Sequence, residues 1–131
     1  MKLVLSEPES AALSDWIATR ADRLASVIAA IEVRRSVRRA EVTRSGAAGE
    51  REREMLRTRA EAVLGSVSLV AIDDAIVTDA GALSPPDLRA LDAIHLATAL
   101  RVAELDGLVT YDIRLSDAAT ARGLNVFHPG R

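Results

Sequence analysis

Hydrophobic and polar residues along the chain follow two different periods, one typical of helices and the other of short strands. Residues 10–20 place Leu13, Trp16 and Ile17 on one face of an amphipathic helix. The mostly apolar run LASVIA at residues 24–29 has the length of a strand. The pattern therefore predicts a helix followed by a strand in the first part of the chain.

Two charged helices are predicted after this strand. Residues 30–44 have helical character, and Gly46 and Gly49 are expected to close that helix. Residues 50–64 are predicted to form a second helix that is rich in charged residues. Together the two segments have the pattern of a helical hairpin.

The second half of the chain repeats the alternation of strand and helix. The apolar run at residues 67–72 is expected to be a strand buried on both faces. A helix capped by Asp73 or Asp74 should follow, and Ser84-Pro85-Pro86 is a loop because consecutive prolines cannot lie inside a helix. The remaining predicted elements are a largely buried helix at 91–105 that Gly107 ends, a strand at 108–111, a helix at 112–122 and a last strand at 124–127.

Strands separated by helices predict an α/β fold with a mostly parallel sheet and helices on both faces. The 131 residues contain no apparent repeat or linker, so one domain, residues 1–131, is expected. Ligands of such sheets bind beyond the carboxyl ends of the strands. Polar residues at those ends are therefore the first candidates for a functional site.

The composition excludes several classes of site and location. Without cysteine the chain has no disulfide, zinc-thiolate site or cysteine nucleophile. We find no signal peptide and no apolar run of the roughly 18 residues that a spanning helix needs, so a soluble cytoplasmic protein is expected. No glycine-rich phosphate-binding motif is present, and two histidines give little support to a Ser-His-Asp triad.

The charge is unevenly distributed, although the net charge is only −2. Residues 34–59 contain nine arginines and four glutamates, and the rest of the chain is correspondingly acidic. One interpretation is a basic arm that would suit an enzyme cleaving phosphodiesters. The other, which charge alone favours, is a solvated helical hairpin with ion pairs between residues i and i+4.

Three acids fall near predicted strand ends. Asp112 directly follows the strand at 108–111, Glu32 lies in the first turn of the helix after the first strand, and Asp92 opens the buried helix. Carboxylates gathered at one edge repel one another unless a hard cation such as Mg²⁺ or Mn²⁺ lies among them. Such a cation polarises a phosphate and lowers the pKa of a bound water. The acids thus indicate phosphodiester hydrolysis.

Each acid also has a simpler explanation. Asp92 can be an N-cap or a first-turn acid favoured by the helix dipole, and Asp112 can be a turn or cap residue. Glu32 can be one charge on a helix beside Arg35 and Arg39. Each simpler explanation accounts well for one acid taken alone. It accounts less well for three acids at the same edge of the predicted sheet.

The two histidines add little at this level. His95 lies three residues after Asp92 on the same predicted helix, where a packed, hydrogen-bonded core histidine is more common than a ligand. His128 carries no functional signal. Neither residue is included in the predicted site.

Two blocks of the chain resemble a known family. LRALDAIHLATAL at 88–100, followed by LVTYDIRLSDAATARGLNVFHPG at 108–130, is similar to the C-terminal half of PIN-domain ribonucleases, in particular VapC-type toxins of bacterial toxin–antitoxin pairs. KLVLSEPES at 2–10 and SVIAAIEVRRSVRR at 26–39 resemble upstream segments of that family. The resemblance covers nearly the whole chain and implies a PIN-like three-layer α/β/α fold.

The resemblance implies a Mg²⁺- or Mn²⁺-dependent endoribonuclease. Glu32, Asp92 and Asp112 match the family's second, third and fourth acids, with the two aspartates as expected direct metal ligands and Glu32 acting through water or orienting it. Thr110 could bond a ligand water and Asp117 could be an auxiliary acid, although a buried strand threonine and a helix-surface acid are the simpler roles. The family further implies a homodimer and a VapB-type antitoxin whose C-terminal tail covers the acidic groove.

One departure from the family concerns the start of the chain. The family normally opens with a short central strand that ends in an Asp, whereas nothing here precedes Met1-Lys2-Leu3. The expectation is therefore a PIN-like fold in which this strand and acid are missing, because of either an internal start or a genuine short form. A short form would be poorly stable and a weak nuclease, and comparison with an extended version would test this.

Two other functions remain open at this level. The chain could be a catalytically impaired PIN-like module that binds RNA or a protein through its basic arm. It could also be a PIN nuclease of RNA processing, which an adjacent antitoxin gene would argue against. Replacing Asp92 or Asp112 with Asn separates the enzyme from the binding module, because only cleavage should be lost.

Overall fold

The computed structural model describes residues 2–131, which contain six helices and four short strands. The helices are α1 (Ser10–Ala18), α2 (Ile28–Glu41), α3 (Gly46–Gly65), α4 (Asp74–Ala82), α5 (Ala90–Leu100) and α6 (Ile113–Ala121). The strands are β1 (Leu24–Ser26), β2 (Ser68–Val70), β3 (Leu108–Val109) and β4 (Val126–Phe127). The predicted alternation of helices and strands is confirmed, with all four strands shorter than expected.

The strands of residues 2–131 form two pairs, β1–β2 and β3–β4. The β3–β4 pair is parallel. In the other pair, the Ser68 N–H donates to the Arg23 carbonyl and the Val27 N–H to the Val70 carbonyl, each at 2.8 Å. These bonds advance in the same direction along both strands, as in a parallel ladder. Parallel pairing is therefore confirmed, but the expected single sheet is divided in two.

Strand β2 is more exposed than its apolar sequence predicted. Ser68 is exposed, and 41% of the surface of Leu69 is accessible. The expectation of burial on both faces is wrong. Among the described residues the strand pairs with β1 alone. An apolar run in a sequence does not reveal whether a strand lies inside a sheet or at its edge.

The glycines between α2 and α3 do not close a helix. Helix α2 ends at Glu41, and Gly46 and Gly49 both lie inside the first turns of α3. A Cβ added to Gly49 would lie 2.8 Å from the backbone carbon of Arg44. Gly49 therefore allows α3 to begin close against the preceding loop. The tendency of glycine to end helices does not predict this role.

Helix α5 is shorter than its apolar pattern suggested. It ends at Leu100, and Glu104 has a φ of +57°, which a continuing right-handed helix does not allow. The centre of α5 is buried as expected, while Leu91 near its start and Leu100 at its end are partly exposed. Gly107 allows a close approach between two segments and does not end the helix. A Cβ added there would lie 2.5 Å from the Asn125 carbonyl oxygen.

The chain divides into two compact units. The first contains residues up to Leu24 together with Ile28–Ser68 and Gly130, and the second contains Ala25–Val27, Leu69–Pro129 and Arg131. The first has a buried cluster of Val4, Val37 and Ala60. The second has a buried cluster of Leu96, Leu115, Ala118 and Ala119. Within residues 2–131, no helix is both long and apolar enough to cross a membrane.

Candidate metal centre

Asp112 is the N-cap of α6. Its Oδ1 accepts a hydrogen bond from the Leu115 N–H at 3.1 Å, and its own N–H donates to Thr110 Oγ1 at 3.1 Å. Its Oδ2 makes no hydrogen bond or ion pair with any residue of the described chain. Strand β3 ends at Val109, so the expectation that Asp112 directly follows the strand is wrong, and a short turn lies between them. The cap interpretation is confirmed, and one carboxylate oxygen remains available to a ligand.

Asp92 is the third residue of α5 and is half-buried. The N-cap of this helix is Arg89, whose side chain makes no capping hydrogen bond. The N-cap interpretation of Asp92 is therefore wrong. The alternative, a first-turn acid at the positive end of the helix dipole, is confirmed.

The two aspartates belong to the same unit and lie near the same core. Asp92 precedes Leu96 by about one helical turn, and Asp112 precedes Leu115 by a similar distance along α6. Leu96 and Leu115 are both members of the second unit's buried cluster. The N-terminal turns of two helices that pack on one another therefore carry the two carboxylates.

Glu32 lies in the first unit, as the fifth residue of α2, and is half-buried. The expectation that it occupies the first turn is wrong, because α2 already begins at Ile28. Across residues 2–131, no three side chains of Asp, Glu or His are gathered as a metal-binding cluster.

The donor atoms nevertheless have the chemistry that Mg²⁺ and Mn²⁺ require. Both are hard cations that bind carboxylate oxygens, and Mg²⁺ is usually held by one or two carboxylates while waters and substrate phosphates complete its shell. The uncommitted Oδ2 of Asp112 is a donor of this type. The two aspartates thus supply donor atoms of the kind that such a cation binds.

The simpler predicted role is confirmed for Asp117, but only the burial is confirmed for Thr110, because it lies one residue beyond the end of β3 and not in the strand. Thr110 is 8% exposed, and its hydroxyl oxygen accepts the Asp112 N–H. Asp117 is exposed on α6, as expected for a helix-surface acid. His95 is half-buried on α5. Thr110 is therefore linked to the site through the backbone of Asp112.

Sequence reasoning missed His128, which directly follows β4. Its Nδ1 lies 2.5 Å from the Thr110 carbonyl oxygen, and its Nε2 lies 3.4 Å from Ser116 Oγ. The available signal was the pairing of the last two strands. Parallel strands end at the same edge of a sheet, so a residue just after β4 must lie beside the residues just after β3.

The charged segment forms the predicted helical hairpin of α2 and α3. Arg34 donates two hydrogen bonds to the Glu61 carboxylate, each at 3.0 Å, and Arg57 Nε donates to Glu41 Oε1 at 2.6 Å. The Arg34 guanidinium lowers the pKa of Glu61, chiefly through these hydrogen bonds. Both pairs join the two helices, so the expected i, i+4 spacing is wrong for them.

Part of the hairpin's positive charge is uncompensated. Residues 28–65 contain nine arginines and six glutamates. Four exposed arginines of this segment make no hydrogen bond or ion pair with another residue of the described chain. We call them the free arginines: Arg35, Arg38, Arg51 and Arg59.

The sequence profile of the PIN domain family matches residues 1–121. The chain belongs to the PIN domain family. The matched segment includes Glu32, Asp92 and Asp112. The family assignment inferred from the motifs around these residues is therefore confirmed.

Several relatives of the chain are ribonucleases of Mycobacterium tuberculosis. Ribonuclease VapC46 is 38% identical over 130 residues, which are 98% of this chain and 91% of the relative. Ribonuclease VapC35 is 38% identical over 136 residues, covering 100% of this chain and 92% of the relative. Ribonuclease VapC47 is 32% identical over 134 residues, or 98% and 90% of the two chains. No solved structure matches the chain significantly.

Proposed function

We propose that this PIN-family chain is a VapC-type endoribonuclease, the toxin component of a toxin–antitoxin pair. The observation that carries the proposal is the 38% identity to ribonuclease VapC46 over 98% of the chain. The carboxylates at the N-terminal ends of α5 and α6 supply chemistry suited to that activity. The substrate is RNA, and the reaction hydrolyses its phosphodiester bonds.

Asp92 and Asp112 hold a divalent cation, Mg²⁺ or Mn²⁺, and Glu32 acts through a water that it orients. When bound, the cation polarises the phosphate and lowers the pKa of the attacking water. Asp112 Oδ1 is engaged by the Leu115 N–H, which leaves Oδ2 for the cation. Removing divalent ions with EDTA should stop cleavage, and Mg²⁺ or Mn²⁺ should restore it.

The α2–α3 hairpin binds the RNA backbone. The free arginines carry positive charge that no glutamate of the described chain neutralises. Arginine is well suited to phosphate because its planar guanidinium donates paired hydrogen bonds. Contacts of this type are independent of RNA sequence and weaken as the salt concentration rises.

Asparagine variants of the two aspartates test the site. Asp92→Asn and Asp112→Asn should each reduce Mg²⁺-dependent cleavage of a labelled RNA to the rate measured in EDTA, because the amide removes a ligand charge. RNA affinity, measured by fluorescence anisotropy, should persist. Asp117→Asn is the matched control, since Asp117 lies exposed on α6. Wild-type cleavage by the Asp112→Asn variant would refute the assigned site.

A second candidate is an RNA-binding PIN-like module that is impaired in cleavage. Two observations favour it: the free arginines, and the absence of a three-acid cluster among residues 2–131. This candidate predicts that the wild-type chain binds RNA but does not cleave it at any Mg²⁺ or Mn²⁺ concentration. The Asp112→Asn variant would then be indistinguishable from the wild type in both assays.

The relatives' names also suggest what this chain assembles with. A VapB-like antitoxin is the proposed partner, and a homodimer is the proposed assembly. Residues 1–131 are proposed to be a single domain, because the family profile runs through both compact units. Mass measurement by light scattering, with and without the product of an adjacent small gene, tests the partner and the assembly together.

A further inference from the structure

The ring of His128 contacts residues on both sides of Asp112 in the sequence. The Thr110 carbonyl can only accept a hydrogen bond, so Nδ1 carries the hydrogen in the contact at 2.5 Å. In the neutral ring, Nε2 then accepts from the Ser116 hydroxyl, 3.4 Å away. One side chain thus joins the turn before α6 to the first turns of α6 itself.

Both partners of His128 are also bonded to Asp112. Thr110 Oγ1 accepts the Asp112 N–H at 3.1 Å, and the Ser116 N–H donates to the Asp112 carbonyl at 2.9 Å. The four residues therefore form a closed ring of hydrogen bonds through both peptide groups of Asp112. We call His128, Thr110 and Ser116 the Asp112 bracket.

We propose that His128 is a positioning residue that fixes the orientation of Asp112 for metal binding. The proposal rests on the proposed function, because it assumes that Asp112 is a metal ligand. With the backbone held by the bracket and Oδ1 held by Leu115, the side chain has little freedom left, so Oδ2 keeps one direction. Residues that orient a metal ligand typically contribute 10–100-fold to metal affinity or activity.

The segment that carries His128 has a second attachment to the same turn. The Tyr111 hydroxyl donates to the Pro129 carbonyl at 2.7 Å, and the guanidinium of Arg131 lies 5.3 Å from the centre of the Tyr111 ring. These contacts hold Pro129 and Arg131 against the turn before α6. His128 differs from them because it also reaches Ser116, beyond Asp112.

Three variants test the proposal. His128→Ala removes both contacts, whereas His128→Asn keeps a side-chain N–H that can donate to the Thr110 carbonyl. Asn125→Ala is the matched control, because it removes a hydrogen bond to the Asp106 carbonyl next to β4 without touching the bracket. Mn²⁺ affinity is measured by calorimetry, RNA cleavage as kcat and KM, and amide hydrogen exchange of Leu115 in metal-free protein.

His128→Ala should bind Mn²⁺ about 10–100-fold more weakly and lose kcat with little change in KM for RNA. Its Leu115 amide, which is bonded to Asp112 Oδ1, should exchange faster. His128→Asn should recover most of the loss, and Asn125→Ala should match the wild type in all three measurements. Recovery by Asn separates positioning from a general loss of stability, and keeps the test valid if the alanine variant fails to fold.

Wild-type Mn²⁺ affinity and Leu115 exchange in His128→Ala would overturn the proposal. So would an equal loss in Asn125→Ala, or no recovery in His128→Asn. If the wild-type chain neither binds Mn²⁺ nor cleaves RNA, the proposed function fails instead. In that case the Leu115 exchange rates of the metal-free variants still decide whether His128 positions Asp112.

Discussion

Asp112 is proposed to stabilise a helix and to bind a metal, and two substitutions separate these roles. The chain offers a matched residue, because Asp73 caps α4 in the same way. Oδ1 of Asp73 accepts the Ile76 N–H at 2.8 Å, and Oδ1 of Asp112 accepts the Leu115 N–H at 3.1 Å. Alanine removes both cap and charge at either position, whereas asparagine removes the charge and keeps a capping oxygen.

The expected stability change follows from the cap alone. Replacing an Asp cap with Ala costs about 1 kcal/mol, and Asn caps a helix about as well as Asp. For a domain of this size, a loss of about 1 kcal/mol lowers Tm by roughly 3–6 °C. Asp73→Ala and Asp112→Ala should therefore both melt a few degrees lower, while Asp73→Asn and Asp112→Asn should melt near the wild type.

The expected activity divides the variants differently. Both Asp112 variants should lose Mg²⁺-dependent cleavage, because each lacks the carboxylate. Both Asp73 variants should cleave at the wild-type rate at 25 °C, where the protein remains folded. Thermal unfolding followed by circular dichroism and single-turnover cleavage of a labelled RNA are the two assays.

Two results would refute this reasoning. If Asp73→Ala lost as much cleavage as Asp112→Ala, helix stability and not the carboxylate would control activity. If Asp112→Asn melted as low as Asp112→Ala, the Leu115 N–H would not be held by a replaceable capping oxygen. The first result would remove the assigned role of the Asp112 carboxylate in cleavage, and the second would remove the distinction between its two oxygens.

Other expected outcomes concern RNA binding, the core and acid stability. Replacing Arg35 and Arg38 with Ala should weaken RNA binding and reduce the slope of log affinity against log salt by about 1 per lost phosphate contact, whereas Arg34→Ala, paired with Glu61, should change the slope less. Leu96→Ala should reduce the free energy of unfolding in urea by about 2–5 kcal/mol, because Leu96 is 0% exposed. The pKa of Glu61 is lowered below 4.5 in the folded chain, so its stabilising contribution is present above that pH and lost as the pH falls further. In Glu61→Gln, the free energy of unfolding should therefore fall less steeply as the pH drops below about 4.5. An unchanged pH dependence would contradict this assignment.

Helices were predictable where local sequence signals determine them. The helix starting at Asp74 follows a capping Asp, and the start of α6 follows Asp112 for the same reason. Glycine was a poorer guide. Gly49 and Gly107 are adjacent to backbone atoms of distant or preceding segments, and such close approach is invisible in a hydrophobic pattern.

The strands and the bracket depend on contacts between distant parts of the chain. The apolar run containing Leu69 looked like an interior strand, yet it pairs on one side only. His128 was missed because its partners lie 18 and 12 residues earlier in the sequence, where no local pattern marks the contact. The parallel pairing of β3 and β4 determines which of their residues lie side by side. A hydrophobic pattern can indicate that two strands exist, but it does not give the register of their pairing.

Asp is the residue type that would serve both as the observed helix cap and as the proposed metal ligand at position 112. Asn satisfies the cap but supplies no charge, and Glu supplies a charge but is not a preferred N-cap. The positive end of the helix dipole also makes an acidic residue a common choice at a helix N-terminus. At the proposed site a cation would bind Oδ2, while Oδ1 remains bonded to Leu115. An acid at the start of a helix can therefore be both a structural cap and a metal ligand, and the two explanations drawn from the sequence do not exclude one another.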